Sequence, residues 1–400
     1  MKAKTYAVVV LLLLTVLAPK LHAQLTIPGA DGSDGALTII SNTVIDLSQA
    51  ISGVWSNNNS ANAGKGIYDS NKWAVVFKYS SVNIASNATV TFQNHPSRAP
   101  VVWVVSGNAT VFGEVNLSGN DYTFDNVALP EPGPGGYRGG AGEQANLSHG
   151  SGFGPGGYHD DNGGYSTYHS YGNPQILPLI GGSGGSAGSG NCGRGNGAGG
   201  GGAIMIAAVG NISVSGRIRA NGGNGYVTSN YGCGWSGYYG SGGAVRLLAD
   251  QILGSGRIEA TGSDVGRIRL EANTASTSLD LNPSTVAASP NPVTLWPTTN
   301  APTVKVISVA AQSAPLDPKA RMNAGGDDLT IANTSAVSIV LQTANFPING
   351  TVNVFIKPRN SAQSILQATY VSGTTNLATW QVTTTLPVSH TVIQARAVSN

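Results

Sequence analysis

The chain has 400 residues, of which 55 are glycine, 40% are hydrophobic and only 10% are charged. An ordinary globular protein has roughly a quarter charged residues and about 7% glycine, so this composition excludes a coiled coil, a charged disordered tail and a typical helical enzyme. The glycines have no strict every-third-residue period, which excludes a collagen triple helix.

The first 23 residues have the pattern of a secretory signal peptide. Lys2 and Lys4 give a positive start, an apolar run extends over 7–18, and 21–23 is an acceptable cleavage site. The run is too short to span a bilayer, and no later stretch is apolar enough to do so. We therefore expect an exported protein, secreted, extracellular or at the cell surface, with the periplasm as the other compartment.

Charge and motifs give little support to several common functions. Cleavage removes Lys2, Lys4 and Lys20, which turns the formal charge from +2 to −1. A near-neutral chain gives no electrostatic case for nucleic-acid binding. The glycine pairs lack the Gly-Lys-Ser/Thr of a phosphate loop, and no Gly-x-Ser-x-Gly elbow accompanies a strand-to-helix change. The sequence therefore implies no cofactor.

Composition divides the mature chain into four parts. Short alternating runs predict strands over 24–275, and a segment rich in glycine and tyrosine interrupts them at about 120–201. A stretch of Thr, Ser, Pro and Asn at 276–302 is typical of a linker. Residues 303–400 return to period-two strands with almost no glycine, which predicts a small immunoglobulin-like β-sandwich.

An internal repeat lies within 24–275. A first strand recurs as 203–208, 244–249 and 267–272, with an earlier copy at 101–105. A second strand follows it as 216–222 and 256–262, with an earlier copy at 113–119.

Apolar and polar residues alternate within each of these strands, so we expect one set of aliphatic side chains to face a common interior. Ile204, Val245, Ile218 and Ile258 belong to that set. Two short strands per repeat, closed by glycine corners, predict stacked coils of a β-solenoid. The alternative is a β-sandwich with similar strands.

The two cysteines fit this stacking. Cys192 and Cys233 each lie the same distance before an alanine that opens a first strand, Ala203 or Ala244. Stacked coils would bring the two positions to about 4.8 Å, within reach of a disulfide. Export favours this pairing. Two free thiols or an intermolecular bridge are the alternatives.

The glycine-rich insertion has two interpretations. It is either a flexible surface loop or a packed glycine layer over the coils. Its aromatic side chains suit stacking on sugars or adhesive contact, and equally suit packing of the insertion onto the coils. They are Tyr158, Tyr165, Tyr168, Tyr171, Trp235, Tyr238 and Tyr239. We expect the apolar island 174–180 to anchor the insertion.

The alternating strands, the Ser-Gly-Arg-Ile-Arg-Ala-Asn-Gly turn at 215–222 and the Gly-Gly-Ser-Gly-Gly run at 181–185 resemble glycine-rich secreted bacterial proteins of uncharacterised function. Their solenoids resemble right-handed parallel β-helices of the pectate-lyase-like type. The resemblance covers about 35–275. It implies an all-β fold whose members include carbohydrate lyases and hydrolases, adhesins and tailspikes, so the fold does not choose a function.

Candidates for catalysis are few. His159, Asp160 and Asp161 form the densest polar cluster, either a metal or acid–base site or a solvated loop.

Arg217 and Arg257 occupy matching second-strand positions, and Arg246 and Arg269 occupy matching first-strand positions. We expect all four to point outward beside Glu259 and Glu271, as a mutually paired solvated face or as a polyanion-binding stripe.

These observations favour an exported, non-catalytic structural or adhesive protein. The alternative is a protein on the same scaffold that binds or degrades polysaccharide, by lyase or hydrolase chemistry. Expected partners are polysaccharide or other cell-surface components.

Overall fold

The computed structural model describes residues 25–124, 129–142, 150–157, 171–188, 195–227, 236–317, 328–359, 361 and 363–399. These residues form an almost wholly β structure with no α-helix and with two short 3-10 helices, Leu47–Gln49 and Ser60–Asn62.

Among the described residues, twenty-two strands lie before residue 300. They are β1 Gly35–Ile39, β2 Thr43–Asp46, β3 Ile51–Ser52, β4 Ile67–Asp69, β5 Ala74–Ile84, β6 Thr89–Gln93, β7 Val101–Val105, β8 Ala109–Val111, β9 Glu114–Asn116, β10 Thr123–Phe124, β11 Gly195–Asn196, β12 Ala203–Ala208, β13 Ile212–Val214, β14 Arg217–Arg219, β15 Tyr226–Val227, β16 Ser236–Gly237, β17 Ala244–Leu248, β18 Gln251–Leu253, β19 Arg257–Glu259, β20 Arg267–Glu271, β21 Thr274–Ala275 and β22 Asp280–Asn282.

The main strands form three parallel ladders. The first ladder is β5-β7-β12-β17-β20, the second is β5-β8-β13-β18-β21, and the third is β2-β6-β9-β14-β19-β22. The long β5 belongs to the first two ladders, because its 75–79 half pairs with β7 and its 82–84 half with β8. From β7 onward the chain visits the ladders in a fixed order and then returns one strand further along each.

The register of the ladders confirms the pairing that the repeat predicts. Ile204 lies beside Val101 on one side and Val245 on the other. Ile218 lies beside Ile258 in the same way. These side chains belong to one buried cluster that fills the space between the three ladders. The sequence predicted two strands per repeat and was wrong in that number, since a third strand of two or three residues lies between them.

The outer side of the first ladder is covered as well. Met205, Ala207 and Leu248 pack beneath apolar residues from three distant parts of the chain. These are Leu25, Ile27, Ile176, Leu179 and Leu295. The apolar island 174–180 therefore anchors the insertion, as predicted, and residues 293–296 of the stretch predicted to be a linker also pack on the first ladder.

This cover overturns one prediction. Arg246 was expected on a solvated face, but its side chain is only 1% exposed, because the 293–296 segment lies over it. Its guanidinium donates to both oxygens of Glu271, at 3.1 and 3.0 Å, and to the carbonyl oxygen of Thr294 at 2.6 Å. Arg269 also contacts Glu271 and keeps 23% exposure.

Much of the insertion forms a packed layer of extended chains, which we call the glycine layer. Its segments are 131–142, 150–157, 180–188, 195–202, 221–225 and 236–243. Neighbouring segments exchange backbone hydrogen bonds in steps of three residues. Gly182 and Gly185 donate to Gly201 and Ala198, and those two acceptors donate in turn to Ser241 and Tyr238.

A three-residue step is the period of the polyproline II helix, which has no internal hydrogen bonds and turns its N–H groups toward different neighbours. The close packing requires glycine. At Gly182, Gly200 and Gly240 an added Cβ atom would lie under 3.0 Å from a neighbouring backbone. For the described residues, the packed layer is therefore the correct interpretation of the insertion.

The C-terminal part is a pair of antiparallel sheets. Its strands are β23 Thr303–Val309, β24 Gln312–Ser313, β25 Val337–Ala344, β26 Thr351–Pro358, β27 Ser364–Gln367, β28 Thr369–Thr374, β29 Leu377–Thr384 and β30 Thr391–Val398. One sheet has the order β24-β23-β25-β29-β28 and the other β27-β26-β30, with a separate hydrophobic core between them.

Lys357 of β26 joins this part to the glycine layer. Its Nζ atom donates to the carbonyl oxygens of Gly152, Gly154 and Gly157 at 3.0, 3.0 and 2.7 Å. The side chain is buried, and burial lowers the pKa of Lys357 to about 7. A second link is the hydrogen bond from the Tyr68 hydroxyl to Asp317, at 2.5 Å.

We expect Gly200→Ala to lower the free energy of unfolding by about 2 kcal/mol, because overpacking a close-packed site costs roughly 1–3 kcal/mol. The matched control is Gly53→Ala, whose added methyl group would meet only Ile67, at an ordinary 3.6 Å. Denaturant unfolding of both variants measures the difference. Equal effects at the two positions would contradict the close packing of the layer.

We also expect Lys357 to make stability depend on pH. Its pKa is lower in the folded chain than the usual 10.5, so unfolding takes up a proton between about pH 7 and 10.5 and stability rises with pH across that window, by at most ~1.4 kcal/mol per pH unit. Unfolding curves of the wild type and of Lys357→Met should diverge over this range, whereas the exposed Lys305→Met should follow the wild type. Parallel curves for wild type and Lys357→Met would refute the expectation.

Candidate functional site: the outer face of the third ladder

Most of the site residues predicted from the sequence lie outside the described residues. These are His159, Asp160, Asp161, Cys192, Cys233, Tyr158, Tyr165, Tyr168 and Trp235. The proposed catalytic cluster, the disulfide and four of the aromatic contacts therefore stay predictions.

Three predicted aromatic residues are described. Tyr171 donates its hydroxyl to the carbonyl oxygen of Gly181 at 2.6 Å, and its ring lies 5.6 Å from the Arg267 guanidinium. Burial raises the pKa of Tyr171. Tyr238 is half-buried within the glycine layer, and Tyr239 is 46% exposed beside it. Tyr171 thus packs the insertion onto the coils, while Tyr239 is accessible.

The outer face of the third ladder carries the polar side chains of the repeat. Val115, Ile218 and Ile258 face the interior, and the residues on either side of them alternate outward. Two rows result from the register. One row is Glu114, Arg217, Arg257 and Asp280, and the other is Asn116, Arg219, Glu259 and Asn282.

The charges in these rows are paired. Arg219 lies 3.1 Å from Glu114, and Arg257 lies 3.3 Å from Asp280. Glu259 is the centre of the network, since it also contacts Arg217, Arg219 and Arg257 at 3.6, 3.9 and 2.5 Å. The three arginines and three carboxylates compensate one another, which agrees with the mutually paired interpretation and not with a free cationic stripe.

A groove of about 720 Å³ lies at the end of this face where β6 and β9 run. It continues the outer row, because Asn116 belongs to both. Hydroxyl and amide side chains form much of its lining. Among them are Ser48, Thr91, Gln93, Asn94, Ser118 and Asn120.

Glu131, at the start of the glycine layer, closes one wall of the groove. Arg98 donates to both of its carboxylate oxygens, from Nε at 3.1 Å and from Nη2 at 2.9 Å, and Arg138 contacts it from the layer. Asn94 donates to the carbonyl oxygen of Pro132 at 2.8 Å and to Glu131 at 3.4 Å. The side chain of Glu131 nevertheless stays 40% exposed.

His95 lies beside this cluster and is fixed by its own turn. Its Nδ1 atom lies 2.8 Å from the Ser97 hydroxyl and accepts from the Ser97 amide at 3.1 Å. Its ring stacks on Tyr68 at 4.0 Å. Burial, together with the hydrogen bond to Asp317, raises the pKa of Tyr68, so that phenol stays a neutral donor.

The described lining of the groove holds many hydrogen-bonding groups and a single carboxylate. Glycosidic hydrolysis generally uses two carboxylates facing each other across the bond. Of the described residues that line the groove, Glu131 is the one carboxylate, and it is held by two guanidinium groups. The described residues also contain no group of three or more side chains able to hold a metal ion.

The sequence did not single out Asn94, Arg98 or Glu131. They lie in two segments more than 30 residues apart and form no motif. One signal was available: 94–100 is a polar loop with two prolines that ends where a repeat strand begins. Such a loop is a place where polar side chains gather beside a rigid strand.

Comparison with known families, with curated proteins and with solved structures finds no match to this chain. Of the residues that the structure describes, no helix is both long and apolar enough to pass through a membrane.

We expect the compensated face to have little affinity for polyanions until a carboxylate is removed. Glu259→Gln leaves Arg217 and Arg257 without their shared partner, so retention on a heparin column should increase. Asp264→Asn is the control, because it makes the same change of charge away from the arginines: the described contact of its carboxylate is with the Val265 amide. Equal retention of both variants would contradict the pairing.

Proposed function

We propose that the protein is an exported, non-catalytic β-solenoid that serves as a structural or adhesive component outside the cell or at its surface. In this proposal the three ladders are the faces of a right-handed parallel β-helix, similar to the pectate-lyase-like type, and 303–400 is an immunoglobulin-like module. The in-register parallel pairing of β7, β12, β17 and β20 supports the solenoid.

The observation that carries the non-catalytic proposal is the engagement of Glu131 by Arg98 and Arg138. Both oxygens of that carboxylate already accept from Arg98, so the described lining of the groove offers no carboxylate free of an ion pair. The glycine layer supports a structural role, because it joins the coils to the C-terminal sheets by direct hydrogen bonds such as those of Lys357.

The alternative function is binding or degradation of polysaccharide. The groove beside β6 and β9 favours binding, because it is concave, has the volume of a ligand site and presents fixed amide and hydroxyl groups. Degradation would need acid–base groups from outside the described lining, and the cluster of His159, Asp160 and Asp161 is the candidate for them.

The test uses the mature chain, residues 24–400, with a panel of soluble and insoluble polysaccharides, and records pull-down and product release in the same samples. We expect no reducing or unsaturated ends. Release of such ends that is lost in His159→Ala or Asp160→Ala would overturn the non-catalytic proposal. Binding without product release would establish an adhesin for glycans. If the protein shows no binding and no product release, a structural role with protein partners remains.

A further inference from the structure

We infer that the groove beside β6 and β9 is a binding site for a neutral saccharide, recognised through its hydroxyl groups and not through acidic groups on the sugar. This inference rests on the proposed adhesive function and names its ligand class. Its basis is the ion pairing of Glu131 with Arg98 and Arg138, the polar rows of the third ladder and the shape of the groove.

The first argument concerns charge. A site for an acidic sugar needs a cation that is available to the ligand. Arg98 already uses two nitrogen atoms on Glu131, and Arg138 contacts the same carboxylate. Along the rest of the face, Arg217, Arg219 and Arg257 each form an ion pair with a carboxylate, at 3.6, 3.1 and 3.3 Å. An acidic ligand would therefore have to break existing ion pairs, and a neutral one would not.

The second argument concerns hydrogen-bonding partners. A sugar hydroxyl both donates and accepts, so a saccharide is best met by a groove that presents acceptors as well as donors. Glu131 supplies a charged acceptor that is 40% exposed. Asn116 supplies a donor, since its Oδ1 atom accepts from the Ser118 amide at 3.0 Å, which fixes the side chain and keeps its Nδ2 for a ligand.

The third argument concerns rigidity and shape. Asn116 lies on β9 and Thr91 on β6, both inside a parallel ladder, so their positions are set by backbone pairing. Glu131 is fixed by Arg98, Arg138 and Asn94. Preorganised groups lower the cost of binding. The groove also offers apolar lining to the C–H face of a sugar ring at Phe92, Pro96 and Pro132.

The test is titration of the mature chain with neutral gluco-, manno-, galacto- and xylo-oligosaccharides, and with an oligogalacturonate, by isothermal calorimetry. We expect at least one neutral series to bind and the oligogalacturonate to bind more weakly. Asn116→Ala and Glu131→Gln should each weaken neutral binding by roughly tenfold, as the loss of one hydrogen bond implies.

Asn282→Ala is the matched control, because Asn282 occupies the same row as Asn116 at the far end of the ladder and outside the groove. Its affinity should equal that of the wild type. Thermal unfolding checks each variant. Glu131→Gln removes the carboxylate that pairs with two guanidinium groups, and the variant could unfold for that reason. In that case the affinity of Asn116→Ala tests the inference, since this substitution leaves the ion pairs intact.

Three results would overturn the inference: stronger binding of the oligogalacturonate, neutral binding that survives both groove variants, or no binding by any neutral series. Neutral binding that survives the variants would leave the adhesive function standing and move the site elsewhere. Product release in the same samples would instead contradict the non-catalytic function, so the two failures are distinguishable.

Discussion

The glycine layer exists because its backbones approach one another more closely than any side chain permits. Ordering a residue costs about 1–2 kcal/mol of backbone entropy, and glycine loses the most. Hydrogen bonds to several neighbours and burial of the whole layer offset this cost. The segment 195–202 illustrates the geometry, since it exchanges backbone hydrogen bonds with 131–142, accepts them from 180–188 and donates them to 236–243. A methyl group at most of these positions would separate the segments and remove those bonds together.

This constraint decides which surfaces remain open. The layer begins where the third-ladder strands end, and Gly119 and Gly222 donate there to Asn221 and Thr261, which follow the next strands of that ladder. The first ladder lies beneath Leu179 and Leu295. The outer face of the third ladder carries no comparable apolar cover in the described part of the chain. Its polar rows and the adjoining groove are thus a consequence of how the other surfaces are covered.

The sequence predicted the parts of the fold that repeat. Ile204, Val245 and Ile268 occupy equivalent positions in matching strings, so their stacking followed directly, and the register agrees. The second ladder was missed because strands as short as Ile212–Val214 are too brief for an alternation to appear. Arg246 was misplaced because its cover comes from the short segment 293–296, within a stretch rich in Thr and Pro nearly 50 positions later.

The groove was not predictable by the same means, because no repeat generates it. Asn116 arises from the ladder, but Glu131 is placed by the glycine layer and Arg98 by a loop before β7, so the cluster forms only when those three are packed together. The separate origins of these three residues also explain the chemistry of the groove. Glu131, brought in by the layer, meets Arg98 of the loop before β7 and Arg138 of the layer itself, and its carboxylate pairs with both guanidinium groups. The resulting surface has many hydrogen-bonding groups and few available charges, and it is therefore suited to a ligand that is rich in hydroxyl groups and uncharged.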